Sequence, residues 1–139
     1  MNAFPLSASL SDREARLVAP GILAYIGDAV YELYVRQAFL SPPRRLNDHH
    51  RCVVGQVRAE RQAQHLDAIE SALSETELDI VRRGRNATGR VPRRTDRTTY
   101  QRATSLEALV GYLYLCDANR LNEVMGWLDL TVVDQNAKS

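Results

Sequence analysis

The sequence predicts an all-α fold, in one domain that spans residues 1–139. Apolar residues recur at spacings of three and four along most of the chain, and no segment alternates with a period of two for long enough to form a sheet. Two capping boxes mark helix starts. At 45% hydrophobic and 25% charged residues, the chain is expected to bury a core without needing a metal ion or a disulfide.

The first part of the chain is predicted to contain a short helix and then a long one. Ser11–Glu14 form a capping box that opens the short helix. Pro20 suits the first turn of the next helix, because its missing N–H has no partner there in any case. This helix is predicted to extend to about Leu40, where Ser41-Pro-Pro43 stops it. Its apolar positions are Ile22, Ile26, Val30 and Leu33.

The rest of the chain continues the helical pattern, interrupted by one polar segment. Residues 84–96 contain Gly84, Gly89 and Pro92, and they predict an exposed loop. Helices are expected on both sides of this loop: 46–73 with a break near Gly55, a helix opened by the capping box Ser74–Glu77 and ending near Arg83, 99–117 with Leu106, Leu109, Val110 and Leu113 on its apolar side, and 121–130 before a frayed tail from Asp134.

Composition excludes several classes of protein. The two cysteines, Cys52 and Cys116, are too few and too far apart for a disulfide scaffold or a zinc ribbon, and this fits a reducing cytoplasm. No apolar run approaches the length of a membrane span, and residues 1–10 lack the pattern of a secretory signal. We therefore expect a cytoplasmic protein with no membrane partner.

The net charge of +1 conceals a strongly basic segment. Residues 82–102 contain eight arginines and one acid, which gives a net charge of +7, whereas the remainder holds ten basic and sixteen acidic residues and carries −6. Such a segment is often only a solvated surface. Its concentration on a mildly acidic body nevertheless favours a polyanionic partner.

Two acidic residues lie in the middle of apolar helices. Asp28 lies within 24–32 and Glu107 within 105–112, and each has a glycine nearby, Gly27 and Gly111 respectively. A glycine inside a helix costs about 1 kcal/mol relative to alanine, and close helix–helix approach is the expected compensation. Two helices packed through these glycines would bring both carboxylates to one cleft.

Two convergent carboxylates have two interpretations. They suit Mg²⁺, a hard cation that prefers oxygen ligands and keeps much of its hydration shell. With the basic segment nearby, this predicts metal-assisted cleavage of a phosphodiester. In the alternative, each acid is half of a buried ion pair with an arginine.

Five stretches, in order along residues 20–130, resemble the ribonuclease III family, and specifically its mini-ribonuclease III branch, which has the catalytic domain alone. The first is similar to the signature helix of the family, and the others follow the mini branch: Leu23–Leu33 (LAYIGDAVYEL), Val57–Ala63 (VRAERQA), Arg82–Ala87 (RRGRNA), Val91–Asp96 (VPRRTD) and Thr99–Tyr114 (TYQRATSLEALVGYLY). A lone Gly-Asp-Ala would mean little, whereas the ordered set is specific.

This resemblance implies an all-helical homodimer that cuts double-stranded RNA with Mg²⁺. The signature aspartate of the family falls on Asp28 and its late glutamate on Glu107, which are therefore the expected metal ligands and catalytic residues. The family's full-length enzymes have two further acids where this chain has Ala24 and Thr104, and the mini branch shares that reduction. The number of metal ions per site therefore stays open.

The expected reaction is in-line attack of a metal-activated water on phosphorus, leaving a 5′-phosphate and a 3′-hydroxyl. Each subunit would supply one site, and the two sites would cut opposite strands. The usual substrate of the branch is the precursor of large-subunit (23S) ribosomal RNA, so ribosomal proteins or pre-ribosomal particles are further expected partners.

In the mini branch the basic loop binds the RNA. Guanidinium groups on a glycine-flexed backbone suit contacts with phosphates, and A-form RNA is read mostly through its backbone and shape. The expected RNA-binding residues are Arg82, Arg83, Arg85, Asn86, Arg90, Arg93, Arg94 and Arg97.

A few residues and two other functions remain open. Glu32, one turn after Asp28, is either an outer acid of the site or, more simply, the partner of an arginine, and His50 matches a histidine of the branch whose role the sequence does not give. Tyr25, Tyr31 and Tyr34 are expected to pack rather than to stack on bases. The alternative functions are a catalytically silent domain of this fold that binds structured RNA or the ribosome, and a helical adaptor dimer, which would leave the basic loop unexplained.

Overall fold

The computed structural model describes residues 9–131, and within that range every regular element is helical. The all-α prediction is confirmed. The elements are α1 (Asp12–Arg16), α2 (Pro20–Ala38), α3 (Leu46–Val57), α4 (Ala59–Ile69), a 3₁₀ helix (Glu70–Ala72), α5 (Glu75–Asn86), α6 (Arg97–Cys116) and α7 (Ala118–Gly126). No helix in this range is both long and apolar enough to cross a bilayer. The predicted frayed tail from Asp134 lies outside the described residues.

Helices α2 and α6 form the centre of the fold, and they touch through glycine. A Cβ added to Gly27 would lie 1.7 Å from the carbonyl oxygen of Glu107, and one added to Gly111 would lie 1.9 Å from that of Leu23. Each glycine therefore lets one backbone rest directly on the other, as the sequence predicts. The remaining helices surround this pair, with α4 and α5 packed along α6 and α3 against α2.

The predicted starts of α1, α2 and α5 are confirmed, whereas α6 begins at Arg97, two residues before the predicted Thr99. Both serine capping boxes form: Ser11 with Glu14 and Ser74 with Glu77 each exchange two backbone–side-chain hydrogen bonds. Pro20 is in the first turn of α2, and Asp96 caps α6 by accepting from the N–H of Thr99 at 3.0 Å. These local signals set the boundaries of three of the four longest helices.

The break in the 46–73 stretch falls at Arg58 and not near Gly55. Gly55 is buried inside α3, whereas Arg58 is extended, with φ −65° and ψ 149°. The carbonyl of Val57, left at the end of α3, accepts a hydrogen bond of 2.8 Å from Nε2 of Gln62 on α4. The side chain of Gln62 thus ties the two helices together across the break.

The predicted loop 84–96 is partly wrong, because α5 continues to Asn86 and the loop occupies only 87–96. Gly84 is a packing residue and not a loop residue: its added Cβ would lie 2.8 Å from Cβ of Ala108 on α6. Four of the predicted RNA-binding residues therefore lie on the last two turns of a helix: Arg82, Arg83, Arg85 and Asn86.

The apolar face predicted for α2 is only partly the buried one. Leu23, Tyr31 and Val35 are fully buried, whereas Ile22 and Leu33 are 53% and 57% exposed. Tyr31 packs as predicted and donates to the carbonyl of Gln56, but Tyr25 is 79% exposed. The helix thus has a buried apolar face and a second, exposed one.

The last helix spans Ala118–Gly126, not 121–130, because Asp117 caps it by accepting from the N–H of Arg120. Leu121, Val124 and Leu128 are buried, as the amphipathic pattern predicts. Trp127 lies at the edge, where the Arg120 guanidinium stacks 5.0 Å from its ring centre.

Candidate functional site

Asp28 and Glu107 meet where α2 crosses α6. Asp28 follows the glycine that rests on the carbonyl of Glu107, so the backbone contact itself places the two carboxyl groups side by side. Both side chains line the same cavity, and they are close enough for Asp28 to affect the pKa of Glu107. Glu107 is half-buried, whereas Asp28 is exposed, so the site opens to solvent from the α2 side.

Burial, followed by the hydrogen bond and the charge of neighbouring Asp28, raises the pKa of Glu107 to about 9. At neutral pH Glu107 is therefore protonated and can donate to Asp28. Within residues 9–131 neither acid has an arginine, lysine or histidine nitrogen within the 4.0 Å of an ion pair. The buried-ion-pair interpretation is thus not supported. Two acids placed together without a cation are typical of a site that binds one.

The raised pKa predicts how stability depends on pH. The carboxyl of Glu107 keeps its proton up to about pH 9 in the folded chain and loses it near 4.5 in the unfolded chain, so folding binds a proton between these values. In metal-free protein the free energy of unfolding should therefore fall by about 1 to 1.4 kcal/mol per pH unit between pH 7 and 8.5. Glu107→Gln should flatten this slope and raise Tm at pH 8.

Thermal melts of both proteins across that window check this prediction. The window avoids His65, whose pKa burial lowers to about 4 and which would make stability rise with pH only below neutrality. The matched control is Glu32→Gln, which removes an acid one turn further along α2 and should leave the slope of the wild type. A steep slope that survives in Glu107→Gln would assign the proton to another group.

A cavity of about 380 Å³ opens beside the two acids. It lies between α2, α6 and the α3–α4 break, and Ala24 and Thr104, at the positions of the family's additional acids, are in its wall. Its lining is Gly21, Ala24, Tyr25, Asp28, Val57, Ala59, Gln62, Tyr100, Ala103, Thr104 and Glu107. The hydroxyl of Thr104 donates to the carbonyl of Tyr100 at 3.0 Å. Gln62 and Tyr100 are residues of this wall that were not predicted from the sequence to belong to the site.

The predicted RNA-binding arginines divide into paired and unpaired ones. Arg82 is bonded to Asp79 on the same helix. Arg102, which contributes to the +7 charge, ties α6 to α4 through Asp67 at 2.6 Å and to the 3₁₀ helix through Glu70. The others form no ion pair or side-chain hydrogen bond with any described residue: Arg83, Arg85, Arg90, Arg93, Arg94 and Arg97. Their guanidinium groups remain available to an external anion.

The residues left open in the sequence have ordinary contacts. Glu32 pairs with Arg36 at 2.8 Å, so its charge is satisfied away from the two acids. His49 is bonded to the carbonyl of Arg36 at 2.8 Å, and His50 is exposed. None of the three lines the cavity.

The ribonuclease III domain family matches residues 22–118, which include α2, α6 and both acids. The chain belongs to the ribonuclease III family. Its sequence is 53% identical over 122 residues to Mini-ribonuclease 3 of Synechococcus sp., a match that covers 88% of each chain. It is 50% identical over 110 residues to Mini-ribonuclease 3 of Thermosynechococcus vestitus, covering 79% of this chain and 73% of that protein.

The fold agrees with this membership. A crystal structure of a protein from Fusobacterium nucleatum superposes with a TM-score of 0.74 at 28% sequence identity, covering 80% of this chain and 92% of that one. The resemblance to the mini-ribonuclease III branch is therefore confirmed. The protein is an endoribonuclease, and enzymes of this family generally depend on a divalent metal ion.

Proposed function

We propose that this endoribonuclease cleaves double-stranded RNA with Mg²⁺ held by Asp28 and Glu107. The observation that carries the proposal is the carboxyl pair: two adjacent acids, without a cationic partner among the described residues, open onto a cavity of about 380 Å³. A pure binding domain gains nothing from this arrangement, because it raises the free energy of the ionised pair.

The residues present fit a hydrated hard cation. Carboxylate oxygens are the ligands that Mg²⁺ prefers, and it commonly binds through one or two of them while keeping several waters. Within residues 9–131 no group of three or more histidine, cysteine, aspartate or glutamate side chains converges, so the ligand set rests on these two acids. Binding the ion requires Glu107 to release its proton, so occupancy should increase with pH.

The ion, when bound, supplies an acidified water for attack on phosphorus. The residues of this chain do the rest. Asp28 and Glu107 would hold the ion at the crossing of α2 and α6, where the close backbone contact fixes the separation of the two helices. The cavity beside them, walled by small residues such as Ala24 and Ala103, leaves space for the scissile phosphate.

The unpaired arginines of the 87–96 loop and its flanks would hold the RNA backbone. Arg97 begins α6, and Glu107 lies ten residues later on the same helix, about 15 Å along its axis at the usual helical rise. An RNA duplex that lies across the two acids can therefore also contact the loop within one turn of the RNA helix. Contacts of this kind read the phosphates and shape of A-form RNA and not its base edges.

Neutralising Arg93 and Arg94 to glutamine should weaken RNA binding and reduce the slope of log K against log salt by about 1 to 2 units, because each phosphate contact releases a counterion. Binding of a labelled duplex over a salt series measures this slope. The matched control is the double variant Arg13→Gln, Arg16→Gln. These residues lie on α1, near the opposite end of α6, since the N–H of Leu10 just before α1 donates to the carbonyl of Leu115. Equal slopes in the two double variants would exclude the loop from the RNA contact.

The exposed apolar face of α2 supports the expected homodimer. Ile22, Tyr25 and Leu33 are more than half exposed and lie on one side of the helix, since they are spaced by three and eight residues. An apolar stripe of this size on a charged protein is typical of an interface. Tyr25 also lines the cavity, so a partner covering the stripe would border the site.

Sedimentation equilibrium tests the dimer. The wild type should sediment at twice the chain mass, and Tyr25→Asp should sediment as a single chain, because a charge placed in a buried interface is costly. Circular dichroism should show that the variant keeps its helices. A wild type that is monomeric at tens of micromolar would contradict the dimer.

The proposed natural substrate is the precursor of large-subunit ribosomal RNA, which would place the protein in the cytoplasm with pre-ribosomal particles as partners. The similarity to several Mini-ribonuclease 3 proteins supports an endoribonuclease of this branch. Incubation with a long RNA duplex, with and without Mg²⁺, tests the activity itself. Metal-dependent cutting that leaves 5′-phosphates supports the proposal, and binding without cutting would favour the catalytically silent alternative.

A further inference from the structure

Gln62 has an unusual environment for a glutamine. It lies in the first turns of α4, and its residue is only 4% exposed. Its amide oxygen Oε1 is buried and accepts no hydrogen bond from any described residue. Leaving a buried acceptor without a donor costs roughly 1–3 kcal/mol, and most buried polar atoms avoid this cost. The chain therefore retains this oxygen at the expense of stability.

The orientation of the amide is fixed. Nε2 of Gln62 donates to the carbonyl of Val57 at 2.8 Å, closing the break between α3 and α4. Exchanging the two amide atoms would set Oε1 against that carbonyl oxygen, an acceptor facing an acceptor, so the assignment of the oxygen is secure. The unsatisfied atom is therefore an acceptor and requires a donor.

Gln62 also lines the cavity that holds the two acids. It shares this wall with Asp28, Glu107 and Thr104. Ala24 and Thr104 contribute no carboxylate, so an ion bound here keeps more of its waters than one held by four acids would. Such waters are strong hydrogen-bond donors, because the cation polarises them, and they need acceptors around the site.

We infer that Gln62 is a positioning residue of the cleavage reaction, whose Oε1 accepts a hydrogen bond from a water bound to the cation at Asp28 and Glu107. This inference rests on the proposed function. Less than 1 Å² of Oε1 is accessible, so a donor reaches it only after a small shift of the cavity wall, and a water requires a smaller shift than a ribose hydroxyl of the RNA. Partners of this outer kind typically change metal affinity or activity by 10- to 100-fold.

Three variants test the inference. Gln62→Met has a similar length and shape but no acceptor. Gln62→Glu restores an acceptor oxygen, and in its protonated form it can also donate to the carbonyl of Val57 in place of Nε2. Gln64→Met makes the same change on an exposed glutamine of α4, two residues further on, whose oxygen only accepts from Arg61 at 3.0 Å. The measurements are the rise in Tm of the RNA-free protein with added Mg²⁺, and kcat and KM on a duplex RNA.

For Gln62→Met we expect the Mg²⁺ concentration that gives half of the Tm rise to increase by about tenfold, with kcat at saturating RNA lowered by 10- to 100-fold and KM within about twofold of the wild type. Gln62→Glu should recover most of the metal response, and Gln64→Met should match the wild type. This split separates positioning from a structural role, which would lower Tm without moving the metal midpoint.

Three outcomes would overturn the inference. The first is a Gln62→Met protein with the metal midpoint and kcat of the wild type. The second is a change in KM alone, which would place Oε1 against the RNA. The third is a failure of Gln62→Glu to recover any of the metal response. A wild type that neither cuts duplex RNA nor responds to Mg²⁺ would instead overturn the proposed function, and this inference with it.

Discussion

Replacing Asp28 with asparagine should lower the cleavage rate of duplex RNA by about 1,000-fold or more while leaving the fold intact. The amide has the size of the carboxylate but lacks the negative charge that would hold the cation, and a 1,000-fold loss corresponds to about 4 kcal/mol of transition-state stabilisation. The fold should survive because Asp28 is exposed and its carboxylate forms no ion pair with a described residue. Single-turnover cleavage at saturating enzyme, together with a thermal melt, measures both effects.

Glu32→Gln is the matched control for this variant. It makes the same acid-to-amide change one turn further along α2, where the side chain only pairs with Arg36 on the surface. An exposed pair of this kind contributes little, so activity and Tm should stay close to those of the wild type. If Asp28→Asn cut RNA as fast as Glu32→Gln, the assignment of the site would be wrong.

Gly111→Ala should destabilise the protein by about 3 kcal/mol or more, because one methyl group cannot enter the crossing of α2 and α6. Its Cβ would lie 1.9 Å from the carbonyl oxygen of Leu23 and 3.1 Å from the nitrogen of Gly27, and backbone atoms of a packed helix cannot rotate away as a side chain can. The helices would have to separate, which also parts Asp28 from Glu107. Equilibrium urea denaturation of the metal-free protein measures the loss.

Gly21→Ala is the control for this substitution. Gly21 lies in the first turn of α2, and no atom lies within 4 Å of its added Cβ. Alanine there should be neutral or should stabilise the protein by up to about 1 kcal/mol, since it improves helix propensity. A loss in Gly21→Ala as large as that in Gly111→Ala would show that the destabilisation does not come from the close contact.

Local signals predicted the helices well, because each is encoded over three or four residues. The two serine capping boxes, Pro20 in a first turn and the Ser41-Pro-Pro43 stop all depend on neighbours in sequence. The predictions were wrong where contacts between residues far apart in the sequence determine the structure. The composition around Gly84 is typical of a loop, but Gly84 lies within α5. A glycine occurs there because α6 packs too closely for a larger side chain.

The faces of α2 were harder to assign for a related reason. Ile22 and Leu33 are as apolar as Leu23, so hydrophobic spacing alone does not say which face meets the core. The glycine at position 27 was the better guide, since close backbone contact fixes the rotation of the helix about its axis.

Some residues of the candidate site could likewise be predicted from their neighbours in sequence, and others could not. Asp28 and Glu107 could be paired from the sequence because each acid accompanies a glycine in an apolar helix, and the structure brings these two together. Gln62 could not be singled out, because an unsatisfied oxygen becomes visible only when every neighbouring donor has been located. Gln62 lies in the stretch 57–63, which resembles the family, but nothing in the sequence distinguishes it from its neighbours there.

The most direct test of the account is to locate the ion. Crystals of the wild type soaked in Mn²⁺, a divalent cation that shares the oxygen ligands of Mg²⁺, should show an anomalous peak within about 2 Å of carboxylate oxygens from both Asp28 and Glu107. Crystals of Glu107→Gln treated identically should show a weaker peak or none. A strong peak that contacts neither acid, or one that persists unchanged in Glu107→Gln, would contradict the metal site on which the proposed function depends.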